Sequence, residues 1–139
     1  MAELIFKDII ARENLDDRFV VSSCATSSYE VGNPVYPPAA RTLKTHGITG
    51  EHRARRITRA DLAENDFVLV MDSQNLADVL SMAGEEYGGK VYKLCSFTPV
   101  PRDVSDPYYT RDFERAFADI TDGCRAFLGW LKANNYLNQ

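Results

Sequence analysis

The sequence predicts an α/β fold with three layers, helix-sheet-helix, around a parallel sheet. Three short apolar runs, at residues 19–24, 67–71 and 91–94, are typical of buried strands. Amphipathic segments separate these runs, so that strands alternate with helices along the chain. The chain has 139 residues and neither repeats nor linkers, which indicates a single domain over residues 1–139.

The helices before the second apolar run follow from local patterns. Apolar residues at helical spacing predict a first helix over residues 3–13. A polar, proline-rich connection leads to a second helix over about residues 39–45, which Gly47 ends. Thr58 is suited to cap a short helical turn that ends near Glu64.

Two further helices follow. Asp72 and Ser73 end the second apolar run, and Asp72 is suited to cap the helix that starts there. Between Phe113 and Leu131, apolar residues recur at intervals of four, three, four, four and three, which predicts a long amphipathic last helix.

Composition excludes several classes of function. The net charge of −4 and the pI of about 5.1 argue against general nucleic-acid binding. No apolar run is long enough to cross a membrane, and the first residues lack the basic region of a signal peptide. Three widely spaced cysteines suit reduced thiols in a cytoplasm, where we expect them to be buried apolar residues. With two histidines and no cysteine pair, we expect neither a metal site nor a cofactor.

Polar residues follow each predicted strand, and in a parallel sheet these positions share one edge. The segment after the third strand leads to Asp106-Pro107-Tyr108-Tyr109. A carboxylate fixed by a proline beside two phenols suits a general acid for an aromatic leaving group. The sequence therefore predicts an active site at this edge.

Several segments occur in the order found in a known enzyme family. They are the loop from Ser23 to Asn33 with Tyr29, His46-Gly47, His52-Arg53-Ala54-Arg55, Met71-Asp72 with Asn75-Leu76, and Asp106-Pro107-Tyr108-Tyr109. By these segments the chain resembles the low-molecular-weight protein tyrosine phosphatases from Met1 to about Leu131. The resemblance implies a four-stranded parallel sheet and hydrolysis of phosphotyrosine through a phosphocysteine intermediate. The substrate would be a phosphotyrosine protein or a small aryl phosphate.

The resemblance also assigns roles to individual residues. Asp106 would be the general acid, and the tyrosine pair and the wider match favour this role over the alternative of a simple Asp-Pro turn. Three tyrosines would line the cleft and bind the substrate, and two polar residues would support the phosphate-binding loop. These are Tyr29, Tyr108 and Tyr109 for the substrate, and Ser23 and His52 for the loop.

The family's nucleophilic loop, a cysteine followed six positions later by an arginine, does not occur in this sequence. The residues six positions after Cys24, Cys95 and Cys124 are Glu, Pro and Trp. In the family this loop and the first strand precede the helix that opens with Met-Ala-Glu, where this chain begins. We therefore expect a chain truncated at its N-terminus that is inactive as given. We also expect poor stability or a strand-exchanged dimer, because sheet edges would be exposed.

Three other functions remain open. A pseudo-phosphatase would bind its partners without hydrolysis. An arsenate reductase would need clustered redox cysteines, and Cys95 and Cys124 are far apart in sequence. A protein-arginine phosphatase differs partly within the absent loop, but the tyrosine pair after Pro107 favours phosphotyrosine.

Overall fold

The structure, a computed structural model, describes residues 1–26, 36–50 and 55–137. Two parallel strands lie at its centre, β1 (Val68–Val70) and β2 (Val91–Lys93), with Val68 opposite Val91 and Val70 opposite Lys93. The α-helices of this part are α1 (Ala2–Arg12), α2 (Pro37–Thr45), α3 (Arg59–Glu64), α4 (Ser73–Tyr87), α5 (Pro107–Thr110) and α6 (Phe113–Ala133). Short 3₁₀ turns occur at Asp16–Arg18, Gly88–Lys90 and Leu94–Phe97.

The two faces of β1 enter different cores. Val68 and Val70 pack with buried side chains of α3 and α4. Leu69 and Met71 pack on the other side, against a core that α1 and α6 supply. Because successive side chains of a strand point to opposite faces, helices cover both sides of the sheet. The α/β fold with three layers is therefore confirmed.

Local capping explains where several helices begin and end. Thr58 and Asp61 form a reciprocal capping box at the start of α3, and Asp72 Oδ1 accepts a hydrogen bond of 2.7 Å from Asn75 N at the start of α4. Gly47, with φ of 78°, ends α2 in the left-handed region that favours glycine. Helix α2 begins at Pro37, two residues before the predicted start, since proline suits the first helical position.

The prediction of a strand at residues 19–24 was wrong, because the structure assigns no strand to them. An isolated bridge pairs Ala25 with Arg56, through Ala25 N to Arg55 O at 2.7 Å and Ile57 N to Ala25 O at 2.9 Å. Val20 is 96% exposed. A β-strand needs a neighbouring segment that exchanges backbone hydrogen bonds with it, so an apolar run alone does not form a strand.

None of the helices in residues 1–26, 36–50 and 55–137 combines the length and the apolarity that crossing a lipid bilayer requires.

Candidate active site

Asp106 lies exposed at the start of α5, beyond the carboxyl ends of both strands. The loop that leads to it contacts each strand end. Val104 N donates a hydrogen bond of 2.9 Å to Met71 O, directly after β1. Lys93 Nζ, at the end of β2, lies 2.8 Å from Asp103 Oδ1. These contacts bring Asp106 to the edge of the sheet at which the sequence predicted an active site.

The backbone at Asp106 is determined by the short helix that follows. Pro107 is the first residue of α5, where its fixed φ is compatible with a helix. Asp106 O accepts hydrogen bonds from Thr110 N at 3.1 Å and from Thr110 Oγ1 at 3.2 Å. Tyr108 and Tyr109 belong to α5, but their side chains lie outside the described part of the structure, and their role in binding substrate stays a prediction.

A cavity of about 540 Å³ opens beside Asp106. Four carboxylates and two guanidinium groups belong to its lining residues: Asp72, Asp103, Asp106, Asp119, Arg102 and Arg115. Carboxylates outnumber cations among these residues, so this cavity is a poor site for a phosphate dianion. Within the described residues, no group of three or more potential ligands is arranged to hold a metal ion.

Ser23 lies next to the first turn of α1. Ser23 Oγ donates a hydrogen bond of 2.8 Å to Glu3 Oε1, and Lys7 Nζ lies 2.8 Å from Glu3 Oε2. A carboxylate in the first turn of a helix interacts favourably with the helix dipole. Ser23 therefore connects residues 19–24 to α1, while its support of a phosphate-binding loop stays a prediction.

Tyr29 and His52 lie outside the described residues. Their roles, in substrate binding and in loop support, also stay predictions.

The cysteines differ in their environments. Cys95 and Cys124 are buried, as expected, and burial raises the pKa of the Cys124 thiol to about 12. The expectation that Cys24 is buried was wrong, because this residue is exposed. Neighbouring atoms nevertheless desolvate the Cys24 sulfur and raise its pKa, and the Asp61 carboxylate acts in the same direction. A reactive thiolate needs a lowered pKa, so none of the three resembles an activated nucleophile.

Two arginines of the basic region that follows residue 51, Arg55 and Arg59, make contacts within the protein. The Arg55 guanidinium donates hydrogen bonds of 2.9 and 2.8 Å to the two carboxylate oxygens of Asp61. This pairing lowers the pKa of Asp61 to about 2. Arg59 Nη1 donates to Met82 O at 2.6 Å, and its guanidinium carbon lies 5.3 Å from the centre of the Tyr87 ring. Neither arginine serves as an anion site in this arrangement.

The sequence patterns did not identify Arg102, which lies in the loop before Asp106, or Asp119, which contacts this loop. Arg102 Nε donates to Asp119 Oδ1 at 3.1 Å, across a sequence separation of 17 residues that no periodic pattern reveals. One signal was present in the sequence. Asp119 shares a side of α6 with Ala116 and Gly123, two small buried residues, and a carboxylate in such a position needs a polar partner.

The chain is similar to known proteins over nearly its whole length. The family model described as "Low molecular weight phosphotyrosine protein phosphatase" matches residues 1–137. The rat (Rattus norvegicus) low molecular weight phosphotyrosine protein phosphatase is 38% identical over 133 residues, which cover 92% of this chain and 84% of the rat protein.

Solved structures agree with this match. A protein tyrosine phosphatase from Entamoeba histolytica superposes with a TM-score of 0.90 at 25% identity, covering 96% of this chain and 88% of that one. The Drosophila arginine phosphatase DARP superposes with a TM-score of 0.87 at 29% identity, covering 94% and 88%.

Proposed function

Because this chain belongs to the low molecular weight phosphotyrosine protein phosphatase family, we propose that it acts on phosphotyrosine with Asp106 as the general acid. The observation that carries the proposal is the position of Asp106, exposed at the start of α5 and beyond the ends of two parallel strands. In such sheets, substrates bind outside the carboxyl ends of the strands.

A carboxylic acid at position 106 suits this reaction because the leaving group needs a proton. The tyrosine phenol has a pKa of about 10, so its oxygen leaves slowly as an anion. A carboxylic acid that donates its proton as the P–O bond breaks releases a neutral phenol instead. The resulting carboxylate then accepts a proton from the water that attacks the phosphocysteine, which restores the acid.

This role can be tested in an extended chain, in which a family-type strand and cysteine-arginine loop are joined to Met1. Asp106→Asn keeps the shape of the side chain and removes the proton, so it should lower kcat for phosphotyrosine by about 10²-fold. The loss is smaller for an aryl phosphate with an acidic phenol, which needs less protonation. Asp66→Asn is the matched control and should leave kcat unchanged, because Asp66 is exposed and does not line this cavity. If kcat is unchanged in Asp106→Asn with both substrates, the assignment is refuted.

Under this proposal, the chain of 139 residues by itself should hydrolyse aryl phosphates no faster than background. It contains no cysteine with an arginine six positions later, so it has neither the covalent route nor the loop that stabilises the transition state. Loss of a whole catalytic unit costs many orders of magnitude in rate. Enzyme-like hydrolysis of p-nitrophenyl phosphate by the purified chain contradicts this part of the proposal.

A protein-arginine phosphatase is the second candidate, because the similarity to DARP extends over 94% of the chain. The pair Tyr108-Tyr109 favours phosphotyrosine. The ratio of kcat/KM for a phosphotyrosine peptide and a phosphoarginine peptide, measured on the extended chain, separates the two. A pseudo-phosphatase would bind the phosphotyrosine peptide and hydrolyse neither.

We also propose that two chains pair as a strand-exchanged dimer. Residues 19–24 are not part of the sheet, and among them Val20 is 96% exposed. Exposed strand edges and apolar side chains favour pairing with a second chain. Light scattering on the chain gives a dimeric mass if this is correct and a monomeric mass if it is not.

We further place the protein in the cytoplasm as a single domain over residues 1–139. The three free cysteines suit a reducing compartment. Cell fractionation tests the location, and a single unfolding transition seen by two probes tests the single domain.

A further inference from the structure

Asp119 of α6 contacts the loop that carries Asp106 at two points. Its Oδ2 accepts a hydrogen bond of 3.0 Å from Ser105 N, and its Oδ1 accepts one of 3.1 Å from Arg102 Nε. The Asp119 side chain is 13% exposed, so water competes little for these bonds. Because Ser105 directly precedes Asp106, the first contact restrains the backbone one residue before the proposed acid.

Arg102 extends this connection back along the loop. Its Nη1 donates to Val100 O at 3.2 Å and lies 3.4 Å from Thr98 Oγ1. Thr98 Oγ1 in turn donates to Cys95 O at 2.7 Å. One carboxylate of α6 is thus connected to residues 98–105, either directly or through Arg102.

This loop depends on such contacts because residues 98–106 belong to no helix or strand. Beside Asp119, its backbone is held at Val104, whose N–H donates to Met71 O at 2.9 Å. A general acid accelerates a reaction only when it stays within hydrogen-bond reach of the leaving oxygen. We propose that Asp119 is a positioning residue that holds Asp106 in place through the Ser105 amide. This inference rests on the proposed function of Asp106.

Hydrogen exchange on the chain of 139 residues tests the contact without any turnover. Asp119→Ala should speed exchange of the Ser105 amide by at least about 10-fold, because the acceptor is lost. Asp119→Asn retains one acceptor oxygen and should restore part of the protection. Unchanged exchange at Ser105 in Asp119→Ala overturns the inference. Protected amides of Phe127 and Leu128, deep in α6, verify that each variant is folded.

Asp122→Ala is the matched control. Asp122 lies on the same helix as Asp119, and its Oδ2 lies 3.3 Å from Arg102 Nη2, but the Asp122 side chain is 62% exposed. Its removal takes a carboxylate from Arg102 and leaves the bond between Asp119 and Ser105 intact. Exchange at Ser105 should therefore match the unsubstituted chain, and acceleration equal to that in Asp119→Ala would overturn the specific role of Asp119.

The catalytic consequence is measured in the chain extended by the strand and loop. Asp119→Ala should lower kcat for phosphotyrosine by about 10-fold with KM retained, and it should have no further effect in the Asp106→Asn background. A loss of the same size in both backgrounds overturns the inference, because Asp119 would then act through another group. If Asp106→Asn itself has no effect, the proposed function fails, whereas unchanged exchange at Ser105 refutes only the role of Asp119.

Discussion

Gly123 of α6 lies so close to Leu94 that a Cβ atom at position 123 would be 2.6 Å from Leu94 Cγ. Leu94 directly follows β2 and is fully buried. The last helix therefore crosses the end of the sheet at a distance that a side chain at this position would not allow.

Gly123→Ala should destabilise the protein even though alanine is the better helix former. The added methyl overlaps Leu94 and lowers the free energy of unfolding by about 1–3 kcal/mol. Gly129→Ala is the matched control, since Gly129 lies on the same helix and a Cβ atom there would meet no other atom within 4 Å. That variant should gain up to about 1 kcal/mol from helix propensity. Urea unfolding of both variants checks the prediction, and equal gains would contradict the close contact.

The hydrogen bond from Ser23 to Glu3 predicts a second effect on stability. Ser23→Ala removes a hydroxyl that donates to a carboxylate, which should lower the free energy of unfolding by about 1–2 kcal/mol. Ser22→Ala is the control, because Ser22 is exposed on the same segment and should change little. Urea unfolding measures both variants. Equal effects would show that the bond to Glu3 contributes nothing of its own.

The ion pair between Arg55 and Asp61 predicts a dependence of stability on pH. The pKa of Asp61 is lowered from 3.8 to about 2 in the folded protein, mainly by the hydrogen bonds from Arg55. The contribution is therefore fully present above the unfolded pKa and is lost as the pH falls towards the folded pKa. Allowing for solvent screening, Asp61→Asn should lower the free energy of unfolding by about 1–2 kcal/mol at neutral pH.

Below about pH 4 the difference between the two proteins should narrow, because Asp61 takes up a proton in the unfolded state before it does so in the folded state. Urea unfolding at a series of pH values measures it. Glu64→Gln is the control, since Glu64 is exposed on the same helix. A difference that stays constant down to about pH 3 would contradict the assigned cause.

The different burial of the three cysteines predicts their reactivity. Cys24 is exposed and should react with a thiol reagent in the native protein, whereas Cys95 and Cys124 are buried and should react at least about 10²-fold more slowly. Labelling with Ellman's reagent before and after unfolding counts the accessible thiols. Cys24→Ser should remove the fast phase. Fast labelling that persists in this variant would show that another cysteine is accessible.

The sequence alone predicted where α3 and α4 begin and where α2 ends. Helix α3 begins after the predicted cap Thr58, and α4 begins after Asp72. Gly47 ends α2, as predicted from the tendency of glycine to end helices. These features depend on hydrogen bonds and backbone angles within a few residues, so local sequence is sufficient to specify them. The family resemblance also singled out Asp106 from the residues around it in the sequence.

The tertiary structure decided what depends on distant partners. Residues 19–24 have the composition of a strand, but they do not form one in the structure, because a strand is defined by hydrogen bonds to another segment. The contact of Asp119 with Ser105 joins residues 14 positions apart, in a helix and a loop. Sequence patterns report local periodicity and burial. The pairing of one particular carboxylate with one particular amide arises only when α6 packs across the end of the sheet.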